Sequence, residues 1–125
     1  MALRYNAVEK MNPQTKAKKW YAQPNLSGKR TLKDLSRYIS EVSSLSAGDV
    51  QNVIVNLIDQ LPKWLMEGDS VKLDGLGTFR LSFSSDGVAS KDEVNANLIK
   101  DIYILFDADD SIKTRIQNTT VTAGY

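Results

Sequence analysis

The stretch that decides the fold is Gly68-Asp69-Ser70-Val71-Lys72-Leu73-Asp74-Gly75-Leu76-Gly77-Thr78-Phe79-Arg80-Leu81. Val71 and Leu73 alternate with polar neighbours. Phe79, Leu81 and Phe83 then face one way while Thr78, Arg80, Ser82 and Ser84 face the other. A period of two is the mark of strands with one covered face. Between the two runs, Gly75 and Gly77 supply the backbone freedom of a tight turn. Gly68 stands where a preceding helix should close.

Upstream, Leu32, Leu35, Tyr38, Ile39 and Val42 share one face of a helix over 31–42, with Thr31 and Asp34 placed as a capping box. Ser43-Ser44-Leu45 breaks it. Ser46 and Asp49 then cap a longer helix over 46–66, which Pro62 is expected to kink or to end after its first segment. Val50, Ile54, Leu57, Ile58, Leu61 and Trp64 give this helix an apolar face larger than one short helix covers. Either a self-contained core or a second chain would satisfy it.

Downstream, residues 85–100 are polar and hold the turn signal Asp86-Gly87. Ile102, Ile104 and Phe106 form a further strand, residues 111–117 a short helix, and 118–125 a polar tail. At the other end, 2–8 and 16–22 read as two strands joined through Met11-Asn12-Pro13-Gln14-Thr15. In that turn Pro13 fixes φ and Asn12 can hydrogen-bond nearby backbone. Residues 24–28 act as a joint. The expectation is an α+β fold: two helices, a three-stranded antiparallel sheet with an arm and a short last helix, plus an added N-terminal β-hairpin. The segments are 1–28, 29–117 and 118–125.

Composition narrows the chemistry. The 125 residues include no cysteine and no histidine. Thiolate nucleophiles, cysteine metal sites and the usual acid–base group near neutral pH are therefore excluded. Ser27-Gly28-Lys29-Arg30 is no phosphate loop, because Gln23 and Arg30 stand where Gly and Ser or Thr are required. Asp107, Asp109 and Asp110 lack the spacing of a calcium loop and suit the positive end of a helix. No acid–base pair can be named, so no enzyme, cofactor, metal or small-molecule substrate is expected. The first residues are charged and no apolar run reaches a membrane-spanning length, so a cytoplasmic location is expected.

The net charge of +1 hides a division. Residues 1–30 carry Arg4, Lys10, Lys16, Lys18, Lys19, Lys29 and Arg30 against Glu9 alone, a balance of +6. Residues 31–125 carry nine basic and fourteen acidic side chains, a balance of −5. A basic leader on an acidic body points to a surface for polyanions.

The run from Gly68 to Leu81, with two helices before it and a strand and short helix after it, resembles the HU/IHF bacterial DNA-architecture family over residues 29–117. The added hairpin is similar to that of the extended HU-like proteins of the Bacteroides group. The resemblance implies a homodimer on the nucleoid, with interlocked helices under a saddle of strands. It also implies two β-arms around the minor groove of double-stranded DNA, with a proline wedge at each tip. This chain departs from that pattern where DNA is bound. Residues 82–100 hold Lys91 and Lys100 against Asp86, Asp92 and Glu93, with no arginine and no proline, and Ala108-Asp109-Asp110 stands before the last helix. DNA contact is therefore expected from Lys16, Lys18, Lys19, Lys29 and Arg30. Arg80 follows because it points away from the Phe79–Phe83 face, and Lys113 because it matches a family lysine. Two functions are compatible with these residues: a sequence-tolerant, non-enzymatic DNA-binding architectural dimer, or an HU-like dimeric protein-interaction module.

Overall fold

A computed structural model describes residues 2–124; Met1 and Tyr125, the outer ends of the expected hairpin and tail segments, lie outside the described residues. The elements run β1 (Leu3–Met11), β2 (Lys18–Asn25), α1 (Leu32–Val42), α2 (Ala47–Met66), β3 (Val71–Leu73), β4 (Gly77–Ser85), β5 (Ile99–Ala108), α3 (Asp110–Ile116) and β6 (Val121–Ala123). Among the described residues the strands form two three-stranded sheets, in the orders β2-β1-β6 and β3-β4-β5. The mixed α+β class expected from the sequence is present.

The helix ends are set by local chemistry. Thr31 N–H donates to the Asp34 carboxylate while the Thr31 hydroxyl accepts from the Asp34 N–H, and Ser46 and Asp49 repeat the arrangement. Each capping box satisfies donors that the first turn leaves without helical partners. Helix α2 does not end at Pro62 but continues to Met66. Proline removes its own donor and crowds the carbonyl four residues before it, while the residues after it keep theirs, so the helix runs on. Gly68, at φ +97°, then closes the helix. Its N–H donates to the Leu65 carbonyl and the Asp69 N–H to the Trp64 carbonyl, a Schellman closure.

Helices α1 and α2 pack on each other, and α2 also rests on β3 and β4. Val50, Leu65 and Val71 are the buried apolar side chains there, and the Ser36 hydroxyl, fully buried, donates to the Leu32 carbonyl. Phe79 and Phe106 are register partners whose ring centroids stand 4.8 Å apart. The β4–β5 ladder carries a bulge opposite Phe83, where Asp101 takes φ +53°. An extra residue of this kind bends and twists the strand.

The N-terminal hairpin is longer than its sequence pattern indicated. Its strands extend to Met11 and Asn25, and Lys16 lies in the loop rather than in a strand. The expected polar tail is partly ordered as β6, which pairs parallel to β1 through Leu3↔Val121, Arg4↔Thr122 and Tyr5↔Ala123. Three residues are too short to show a period, and their partner strand lies at the far end of the chain. The hairpin is thus one part of a separate sheet, and the substantial packing between elements runs within that sheet or within the helix–sheet body.

Much apolar surface remains open. The described chain exposes 10490 Å², whereas a compact monomer of 13.9 kDa exposes about 6,700 Å². The sequence left open whether the apolar face of α2 serves a self-contained core. Within one chain it does not: Ile58 and Trp64 are exposed, as are Phe83, Ile102, Ile104 and Phe106 on one face of the second sheet.

Candidate nucleic-acid interface

The hairpin β1–β2 turns through a loop built from its own residues. The Asn12 carboxamide accepts from the Gln14 N–H at 2.9 Å, the Lys16 N–H donates to the Asn12 carbonyl, and the Asn12 N–H donates to the Ala17 carbonyl. This is the local hydrogen bonding expected of Asn12. Lys16 occupies the left-handed region at φ +58°. A lysine is held there at some conformational cost, in the loop of the hairpin.

The register places Lys10 opposite Lys19 and Met11 opposite Lys18. Register partners share a sheet face, so Lys10, Lys19, Val8 and Tyr21 lie on one side and Met11, Lys18, Glu9 and Trp20 on the other. Lys10, Lys16, Lys18 and Lys19 are therefore brought together at the tip, presenting positive charge to both sides. All four are exposed, and none makes an ion pair among the described residues. Lys10 was counted in the basic leader but was not among the expected contacts. Only the register reveals it, because it depends on where the loop closes.

The remaining candidates are placed differently. Lys29 and Arg30 lie between the joint and α1, beyond β2, whose eight residues make a strand about 25 Å long. Arg30 shares a shallow depression with Asp34, Leu35 and Tyr38. Arg80 Nε lies 3.0 Å from Asp107 Oδ2, so its charge is already answered across the sheet. Lys113 stands in the last turn of α3, near enough to Asp109 to favour that carboxylate's charged form. The structure unites Lys16, Lys18 and Lys19, and it leaves Lys29, Arg30, Arg80 and Lys113 dispersed.

Two other regions lack the electrostatics of a phosphate site. The β4–β5 connection contains two short 3₁₀ turns, Lys91–Glu93 and Ala96–Leu98. Within and beside it, Lys100 Nζ pairs with Asp86 Oδ2 at 2.9 Å, and Lys91 sits among Asp92 and Glu93. At the start of α3, Asp109 caps the helix by accepting from the Ser111 hydroxyl and N–H. Those two bonds, the hydroxyl's first, hold its carboxyl below the usual carboxylate range, with smaller help from Lys72 and Lys113. Asp110 adds charge in the first turn. Donors that would hold a phosphate are thus occupied by the chain's own carboxylates. The three aspartates 107, 109 and 110 work as a salt-bridge partner, a cap and a first-turn charge.

The model of one protein family, "HU domain fused to wHTH, Ig, or Glycine-rich motif", matches residues 1–123. Integration host factor subunit alpha from two strains of Haemophilus influenzae is 37% identical over 51 residues, which is 41% of this chain and 53% of each relative. A solved structure of a candidate bacterial DNA-binding protein from Bacteroides vulgatus superposes with a TM-score of 0.66 at 19% identity, over 98% of this chain and 47% of that one. The chain thus spans about half the length of these proteins, and the structural likeness speaks to the fold. Because the family match takes in both the N-terminal hairpin and the helix–sheet body, this chain belongs to the HU/IHF-like proteins, in the HU-HIG family.

Proposed function

We propose that this chain is a non-enzymatic, sequence-tolerant DNA-binding architectural protein that acts as a homodimer on the nucleoid, in the cytoplasm. The observation that carries this reading is the cluster of Lys10, Lys16, Lys18 and Lys19 at the hairpin tip, exposed and without carboxylate partners among the described residues. Phosphate contacts by lysine bring affinity without base discrimination, because the charge is the same on every sequence. Lys29 and Arg30 extend the contact past the joint, and Arg80 and Lys113 take secondary places.

Dimerisation is supported by the exposed area and by the two uncovered apolar faces, on α2 and on the β3-β4-β5 sheet. A second copy brings a second hairpin, so two positive tips engage one duplex. The test is a gel-shift titration of the full chain against linear, nicked and bent duplexes of unrelated sequence, beside a K16Q/K18Q/K19Q variant. Similar affinity for unrelated sequences, lost in the variant, supports the proposal. Strong preference for one sequence, or undiminished binding by the variant, refutes it.

A second reading is a dimeric HU-like protein-interaction module. It draws on the acidic β4–β5 connection and on the acidic start of α3. It predicts a stable dimer with no DNA affinity even at low salt.

A further inference from the structure

The hairpin tip also holds a hollow that phosphate contacts alone do not explain. It is about 570 Å³ in volume and is lined by Lys10, Lys19, Tyr21, Met11 and Pro13 among others. That volume falls within the range of small-ligand sites, about 300–1,000 Å³. Tyr21 is 48% exposed, and Lys10 Nζ stands 5.9 Å from its ring centroid. Lys10, itself an exposed side chain, thus lies over one face of the ring. Lys19 lies directly opposite Lys10 in the register. Like charges opposed across two strands weaken a hairpin, and an anion between them removes the repulsion. The site therefore combines a flat aromatic surface with a neighbouring place for one negative charge.

We propose that this hollow takes an unpaired nucleobase, stacked on Tyr21, with the adjoining phosphate held between Lys10 and Lys19. The site rests on the DNA-binding reading given above and adds to it a contact with one unpaired base at the hairpin tip. Every base has a flat face, so stacking adds affinity without adding sequence preference. Lys10 moves from the ring to the phosphate as the base arrives. Paired duplex, whose bases are covered, engages the lysines but not the ring.

The test uses the full chain, a fully paired duplex, the same duplex with one bulged nucleotide, and the variants Y21A and Y21F. Wild type and Y21F are expected to favour the bulged duplex, and Y21A to lose about tenfold on it, in line with stacking on one aromatic ring. Paired-duplex affinity and its salt dependence are expected to stay unchanged in Y21A. Equal losses on both DNAs, or no loss on either, overturn the proposal while leaving the lysine contact intact. A wild type that binds neither DNA refutes the DNA-binding reading itself. A 2-aminopurine placed in the bulge gives a second readout that needs no variant. Quenching when protein is added supports stacking, and unchanged or increased emission contradicts it.

Discussion

Gly77 leaves no room for a side chain. It sits at the start of β4 with φ +157°, and a Cβ there would come within 2.4 Å of the Asp107 carbonyl and 2.7 Å of the Phe106 ring. Backbone cannot yield as the end of a flexible side chain can. Gly77→Ala is expected to destabilise the protein by about 2–4 kcal/mol, combining overpacking with an unfavourable φ. Gly87→Ala, where nothing lies within 4 Å, is expected to stay within about 0.5 kcal/mol. Chemical denaturation of both variants checks the contrast. Gly75 and Gly77 were legible as a turn, but which one is crowded was not, because the crowding comes from β5.

The capping aspartates make a second prediction at the residue scale. Asp34 is held below the ordinary range first by the Thr31 N–H and then by its hydroxyl, and Asp49 likewise by Ser46. Asp109 completes the set through Ser111. A depressed folded-state pKa means that the charged form is favoured by folding. The resulting stability is therefore full above the unfolded value near pH 4 and is lost as pH falls through the folded values. Acid titration by circular dichroism should show helix loss below about pH 4. A D34N/D49N/D109N variant should start less stable at neutral pH and show a flatter acid response.

At the scale of elements, periodicity made most of the body legible. The spacing of Leu32, Leu35, Ile39 and of Val50, Ile54, Leu57 gave both long helices, and the cap residues gave their starts. Strand β6 was illegible for a physical reason: Val121-Thr122-Ala123 is held by long-range ladder bonds, not by any pattern of its own. Leu3 N–H donates to the Thr120 carbonyl and Gly124 N–H to the Tyr5 carbonyl, both at 2.9 Å. Native-state hydrogen exchange should find these two amides protected relative to Gly87 in the β4–β5 connection. Equal exchange at all three would mean that β6 is not part of the sheet. The candidate contacts divide in the same way. Clustering of Lys16, Lys18 and Lys19 followed from closeness in sequence, while Lys10 and the pairing of Arg80 with Asp107 required the strand registers.

At the scale of the whole molecule, the exposed area is the informative quantity. The chain shows several thousand Å² more than a compact monomer of its mass, and stable interfaces bury about 800 Å² per partner. A homodimer is the expected outcome of sedimentation at equilibrium. Charge placed in the open faces, as in I58E or I104E, should dissociate the dimer, and melting should depend on protein concentration. A wild-type chain that sediments as a monomer at micromolar concentration would contradict this.

The central claim is that the basic hairpin carries the contact with DNA, and its charge makes that claim measurable. Six phosphate contacts by each chain contribute about −5 to the log–log slope of affinity against salt, and a dimer with both tips on the duplex about twice that. Fluorescence anisotropy of one labelled duplex across salt, with wild type and with K10Q/K16Q/K18Q/K19Q, measures it directly. The account predicts that the variant loses most of this slope, about four units of it per chain, together with most of its affinity at low salt. A variant that keeps both the slope and the affinity of the wild type would contradict it.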